Sequence, residues 1–275
     1  MKFIGNQIKF MFNKKATIIC MLILLAVVLT NYISNIFTYA GTDVIVTYHP
    51  MKLLVLHEDN AFSGYYMQIF SLIVVIPAAF SLYNDKSTGT QLFLVSRVGK
   101  NTYFIGKYVA AFIVTFVTLT LPFIIEIILN CIAFPTGAGL DPSNISAFTT
   151  NYSSMVNNFM FEQLYSLNVY LYAIVECIFL GITASILACF AMMLSSFEIF
   201  KYKIFIFLPV YILLNGLNYI SAFLKTEKYS YYGFNLQFFN SADKLSGEFW
   251  ILLAIVFAVS IIIIVRECNK DIINI

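Results

Sequence analysis

Six long apolar stretches, each closed off by a polar or basic segment, leave this chain few folds to choose from. They run over Ala16–Tyr39, Tyr65–Tyr83, Tyr103–Phe134, Leu167–Ser195, Ile204–Leu224 and Phe249–Val265. A bilayer core of roughly 30 Å asks for about 20 apolar residues in a helix, and these stretches meet or approach that length. Composition agrees: 60% of residues are hydrophobic and 11% charged, with a mean hydropathy of +0.85, outside the balance of a water-soluble domain. A membrane β-barrel is excluded, because its strands alternate apolar and polar residues over roughly ten positions. The first stretch is too long for a signal-peptide core and no small-residue cleavage site follows it, so it is read as retained. The expectation is an all-α polytopic membrane protein, one domain over 1–275 with six transmembrane helices.

The basic residues orient it. With six spans both termini share a side, and that side carries twelve of the sixteen Lys and Arg residues. Among them are Lys2, Lys9, Lys14 and Lys15 before the first span, Lys86, Arg97, Lys100 and Lys107 after the second, and Lys201 and Lys203 after the fourth. The positive-inside rule makes both ends cytoplasmic in a cell membrane. The net charge of +2 is then a topology signal, and no basic helix interleaved with stacking aromatics argues for nucleic acid.

Chemistry-bearing motifs are sparse. Cys20, Cys131, Cys177 and Cys189 fall inside spans and Cys268 in the tail, with no CxxC pair, so neither a disulfide framework nor a metal site is expected. His49 and His57 share the first outside loop and read as solvated residues rather than a ligand pair. Gly99-Lys100-Asn101-Thr102 imitates the end of a phosphate-binding loop, but Asn101 and Leu94 stand where that loop needs Ser or Thr and Gly. The chain is not expected to be an enzyme or to bind a cofactor of its own.

Residues 1–15 place Ile4, Ile8, Met11 and Phe12 on one helical face with Lys2 and Lys9 elsewhere, the pattern of a short interfacial helix. The segment 84–102 is polar and punctuated by Gly89 and Gly99. Turn and N-cap residues from Asp85 to Thr90 predict a short helix beginning near Ser87 or Thr88. Leu92, Phe93, Leu94 and Val95 then form an apolar knot, followed by Arg97 and Lys100. Such a knot either binds a partner or dips back into the interface with its cations snorkelling.

Within the spans, Glu126 lies 19 residues beyond Lys107, and Glu176 lies 20 residues before Ser196. At about 1.5 Å per residue both stand roughly 30 Å from the cytoplasmic boundary. Asn35, Gln68, Asn130 and Asn218 fall in the same outer half, a polar belt with no Lys or Arg to neutralise it. The belt reads either as a vestibule passing cationic or amphipathic cargo, or as carboxylates hydrogen-bonded between helices; the second is favoured. In span four Gly181, Ser185 and Cys189 recur at four-residue steps, a small-residue face for close helix contact inside the subunit or across a dimer.

The Lys-rich amphipathic start, the six spans and the loop after span two together resemble the permease subunit of type-2 ABC exporters, in the small Firmicute-like six-helix form. The residues that carry the resemblance are Asp85, Gly89, Thr90, Leu92, Leu94, Arg97 and Lys107. Asp stands where Glu is commoner in that family, and no Pro precedes Ser96. The resemblance implies a separate P-loop ATPase subunit that binds ATP and Mg, and a second permease copy as homodimer or paralogous heterodimer. It implies that Asp85, Gly89, Thr90, Leu92, Phe93, Leu94, Arg97 and Lys100 contact that ATPase within a coupling element over Ser87–Val95. A second contact would come from Phe197, Glu198 and Lys201. Residues 135–166 would form an extracellular loop and 225–248 an outer re-entrant segment rich in aromatics. The expected function is export of a peptide, bacteriocin, drug or lipid. The alternatives are a non-transporting anchor or sensor of the same fold, and an ion-coupled carrier using Glu126 and Glu176.

Overall fold

The computed structural model describes residues 2–41, 53–57, 60–134, 164, 167–200, 202–225 and 247–270. These residues form α-helices linked by turns and short 3-10 segments: α1 (Lys2–Phe12), α2 (Lys15–Tyr39), α3 (Ala61–Ile73), α4 (Phe80–Ser87), α5 (Thr90–Val98) and α6 (Lys100–Ala133). After these come α7 (Val169–Leu194), the 3-10 turns Glu198–Phe200 and Lys203–Ile206, α8 (Leu208–Leu224) and α9 (Gly247–Asn269). Most of the expected segments 135–166 and 225–248 lie outside the described residues, as does His49.

Four helices are long and apolar enough to cross a membrane: Lys15–Tyr39, Lys100–Ala133, Tyr170–Leu194 and Phe249–Asn269. The other two expected spans differ from a plain helix. α8 is apolar but only 17 residues long. The stretch expected as an unbroken span over Tyr65–Tyr83 stops at Ile73, turns through 74–79 and resumes as α4. Pro77 explains the break: it has no N–H to continue the ladder, and its ring disfavours the helical conformation in the residue before it. The turn tightens instead, with Val75 N–H donating to Leu72 O at 3.3 Å and Ile76 N–H to Ile73 O at 3.2 Å. Carbonyls freed this way need partners in an apolar setting. Helix α2 supplies one for Pro77 O, which lies 2.9 Å from Thr17 Oγ1, and adds Cys20 Sγ at 4.0 Å from Ile73 O.

The core sits along α6, which packs against α7, α1 and α2. The small-residue face of span four turns inward, as the closer contact requires. A Cβ on Gly181 would stand 2.0 Å from Thr120 Oγ1 and 2.9 Å from the Phe116 ring. Ser185 Oγ reaches Phe112 O at 3.0 Å and Cys189 Sγ reaches Tyr108 O at 3.6 Å. Small residues thus let α7 close on α6 within one subunit. Helix α1 is more than a surface float: Met11 is fully buried, and a Cβ on Gly106 would meet the Phe3 ring at 2.7 Å. The outward faces of α2, α8 and α9 stay apolar, with Leu22, Ile23, Ile212, Phe223, Ile255 and Ile262 exposed. Apolar faces this extensive call for lipid or another chain to cover them.

Candidate functional site

Two buried polar clusters, at opposite ends of α6, organise everything around them.

The first lies at the lysine-rich end. Asp85, on the last turn of α4, pairs with Lys107 of α6 at 2.5 Å and accepts a hydrogen bond from the Tyr103 hydroxyl at 2.8 Å. Lys107 also donates to Ser81 Oγ at 2.8 Å, one turn earlier on α4. Lys107 is 1% exposed and Asp85 8%. The geometry follows from helix spacing: Tyr103 and Lys107 are four apart on α6, and Ser81 and Asp85 four apart on α4, so each pair shares a face. A buried charge pair holds best when further hydrogen bonds support it, and here Tyr103 supports the carboxylate and Ser81 the ammonium. Asp85 is therefore not a surface contact. The Lys107 ammonium and the Tyr103 hydroxyl hold it inside, where it fixes α4 against α6.

That lock sets the posture of α5. Thr88 ends α4 with its hydroxyl 2.8 Å from Asn84 O, and Gly89 turns the chain at φ +70°, a left-handed conformation that favours glycine. Ser87 closes one helix rather than opening the next; α5 begins at Thr90, whose hydroxyl lies 3.3 Å from Asp85 O. The expected loop over 84–102 is thus nearly all helical, with a second reversal at Gly99, φ +80°. On α5, Gln91 and Val95 face inward and Leu94 is half-buried, while Leu92 and Phe93 remain 51% and 55% exposed. The Arg97 guanidinium stacks on Phe93 at 4.2 Å, a contact worth about 0.5–1 kcal/mol at an exposed site. Lys100 is the first residue of α6.

Phe197 and Glu198 lie beside this element rather than apart from it. They line a groove of about 430 Å³ together with Tyr83, Lys86, Ser195 and Phe200. Lys86 Nζ donates to Ser196 O at 3.1 Å across the groove, and Arg266 of α9 stacks on Phe197 at 4.7 Å. Lys201 lies outside the described residues.

The second cluster surrounds Glu126 near the far end of α6, where the carboxylate is 1% exposed. Its Oε1 accepts from Asn31 Nδ2 and from Val55 N–H, each at 2.8 Å. Asn31 and Asn35 of α2 both donate to Leu53 O, at 2.7 and 2.8 Å, and Asn60 Nδ2 donates to Asn31 Oδ1 at 3.0 Å. Asn130 Nδ2 donates to Glu126 O at 3.0 Å. The carboxylate therefore pins the segment Leu53–His57, every residue of which is 2% exposed or less. His57 is buried, not solvated: the apolar run Leu53–Leu56 draws it in behind itself.

Of the expected polar belt, Asn35, Glu126 and Asn130 come together here. Glu176 accepts from the Tyr172 hydroxyl, one turn away on α7, with Cys177 within electrostatic reach of both carboxylates. Gln68 does not join; it points outward from α3. Asn218 sits half-buried on α8. Sequence reasoning missed Asn31 and Asn60. Asn31 was findable, since it stands four residues before Asn35 and so shares its helical face.

No protein-family model matches the chain, and no curated protein or solved structure matches it.

Proposed function

We propose that this chain is the membrane-spanning permease subunit of an ATP-driven exporter, working with a separate ATPase subunit and a second permease copy in a cell membrane. In this reading the chain crosses the bilayer six times, α3 and α4 forming one interrupted crossing and α8 another. The observation that carries the proposal is the combination on α5: two large apolar side chains are held out of the bundle on a helix whose base is locked by a buried ion pair. A helix that merely returned to the interface would gain nothing from so rigid a footing. A helix that transmits force needs it. The ATPase binds ATP and Mg, closes on Leu92 and Phe93, and moves α4 and α6 through Asp85 and Lys107. The neighbouring groove around Phe197 and Glu198 widens the same contact surface.

Burying a Leu or Phe side chain contributes about 1.5–3 kcal/mol. Leu92→Ala with Phe93→Ala should then weaken docking by about a hundredfold or more. The chain is purified from its own membrane, and the ATP-hydrolysing subunit bound to it is quantified together with cargo-stimulated hydrolysis after reconstitution. Loss of both in the double variant, with the bundle intact, supports the proposal. Full ATPase association and coupled transport in that variant would remove its main support.

A further inference from the structure

Asp85 neutralises Lys107, but Lys107 is not the only cation gathered at that end of the bundle. The segment Pro77–Ser81 is reached by two lysines, Lys107 and Lys203, and by Thr17, one turn after Lys14. Lys107 of α6 donates to Ser81. Lys203, in the 3-10 turn before α8, places its ammonium 4.8 Å over the Phe80 ring. Lys14, in the turn between α1 and α2, is tied in through Thr17, whose hydroxyl lies 2.9 Å from both Met11 O and Pro77 O. Its own ammonium lies 5.0 Å over the Phe10 ring. Neither Lys14 nor Lys203 has a carboxylate at ion-pair distance among the described residues.

The electrostatics agree with the geometry. The Lys14 ammonium is lowered to about 8, chiefly by burial, with Lys107 and Lys203 adding to the shift and Asp85 opposing it. Around Lys14, Asp85 acts against the ammoniums of Lys107 and Lys203, and the excess positive charge there invites an anion. The surroundings name the kind of anion. Lys14 heads an exposed apolar face of α2 formed by Ile18 and Leu22, and Lys203 precedes an exposed apolar face of α8 formed by Leu208 and Ile212. Cations at the head of apolar helix faces suit a molecule with a charged group and hydrocarbon tails.

We propose that Lys14 and Lys203 together bind the phosphate of an anionic phospholipid, its acyl chains lying along the exposed faces of α2 and α8. Bound there, the lipid completes the charge balance that Asp85 supplies only in part. The inference rests on the membrane character of the chain and is independent of whether it exports anything.

The test uses the full chain in neutral-detergent micelles, titrated with phosphatidylglycerol or phosphatidylcholine and read by native mass spectrometry. Phosphatidylglycerol should bind with clear preference. Lys14→Gln with Lys203→Gln should weaken it about thirtyfold, from roughly 1 kcal/mol per basic residue. Lys14→Arg with Lys203→Arg should retain binding, which separates charge from misfolding. Lys2→Gln with Lys9→Gln removes the same charge from exposed positions on α1 and should leave binding unchanged. Equal weakening in the two Gln pairs overturns the site, since general surface charge would then suffice. Displacement of phosphatidylglycerol by inorganic phosphate at comparable concentration overturns the lipid assignment in favour of a soluble anion.

Discussion

The two ends of α6 each bury a carboxylate, and they solve the resulting problem differently. At the lysine-rich end Asp85 meets a full counter-charge in Lys107, with Tyr103 donating to the same carboxylate oxygen and Ser81 accepting from the ammonium. At the other end Glu126 meets no cation among the described residues; two neutral donors, an Asn31 amide and the Val55 backbone, converge on one oxygen. The first arrangement stores charge on both partners and makes each hostage to the other. The second spreads a modest demand over several neutral groups. One joins α4 to α6; the other joins α2 to α6 and also holds down a short connecting segment. The connection between α4 and α6 is thus tied by the stiffer bond, and the segment Leu53–His57 by the milder one.

The difference can be broken most directly at Asp85. Asp85→Ala leaves the Lys107 ammonium buried and unpaired and should cost about 3–5 kcal/mol, read as a lowered unfolding midpoint in detergent. Adding Lys107→Met should recover most of the loss, because the charge that needed a partner is gone. If the double variant is no better than the single, the two residues do not act as a pair.

At Glu126 the expected effects are smaller and split by chemistry. Glu126→Ala strands the Val55 N–H and the Asn31 amide and should cost about 1–3 kcal/mol, with faster hydrogen exchange at Val55. Glu126→Gln keeps a carbonyl oxygen in place and should cost under about 1 kcal/mol. A Gln variant as damaged as the Ala variant would show that the negative charge itself is needed, erasing the contrast between the two ends.

The smallest effect concerns Lys14. Its ammonium is lowered from 10.5 to about 8, chiefly by burial, with Lys107 and Lys203 adding to the shift and Asp85 opposing it. Between those values the unfolded chain binds more protons than the folded one, so stability should rise as pH climbs through that window. Lys14→Gln should flatten the rise. Stability profiles of the two proteins from pH 7 to 11 decide it; an unchanged slope would place the titrating group elsewhere.

Helix positions were largely legible because apolar runs and basic flanks report membrane crossing directly, and α2, α6, α7 and α9 follow them closely. The break after Ile73 was not, although Pro77 was visible, since a proline can bend a helix or end it depending on who receives the freed carbonyls. Only the tertiary neighbour, Thr17, decides that. The site divides the same way. Leu92 and Phe93 read as an exposed apolar knot and are exposed. Asp85 read as part of the same surface and is buried, because its partner Lys107 lies 22 residues on and sequence alone assigns no pairing across such a gap. Leu53–His57 escaped notice since five apolar or aromatic residues inside a polar connection carry no periodicity to mark burial.

The interruption at Pro77 also bears on how the chain is made. A ribosome delivers α2 first, complete in its own backbone bonding. The broken segment α3–α4 is not complete on arrival: Pro77 O finds a partner in the Thr17 hydroxyl, and Ile73 O, already bonded to Ile76 N–H, gains the Cys20 thiol, both on the helix already delivered. The later segment is therefore a client of the earlier one during biogenesis. Thr17→Val, conservative in shape, would deprive it of that host at the moment of insertion, so its harm should fall on yield more than on the finished molecule.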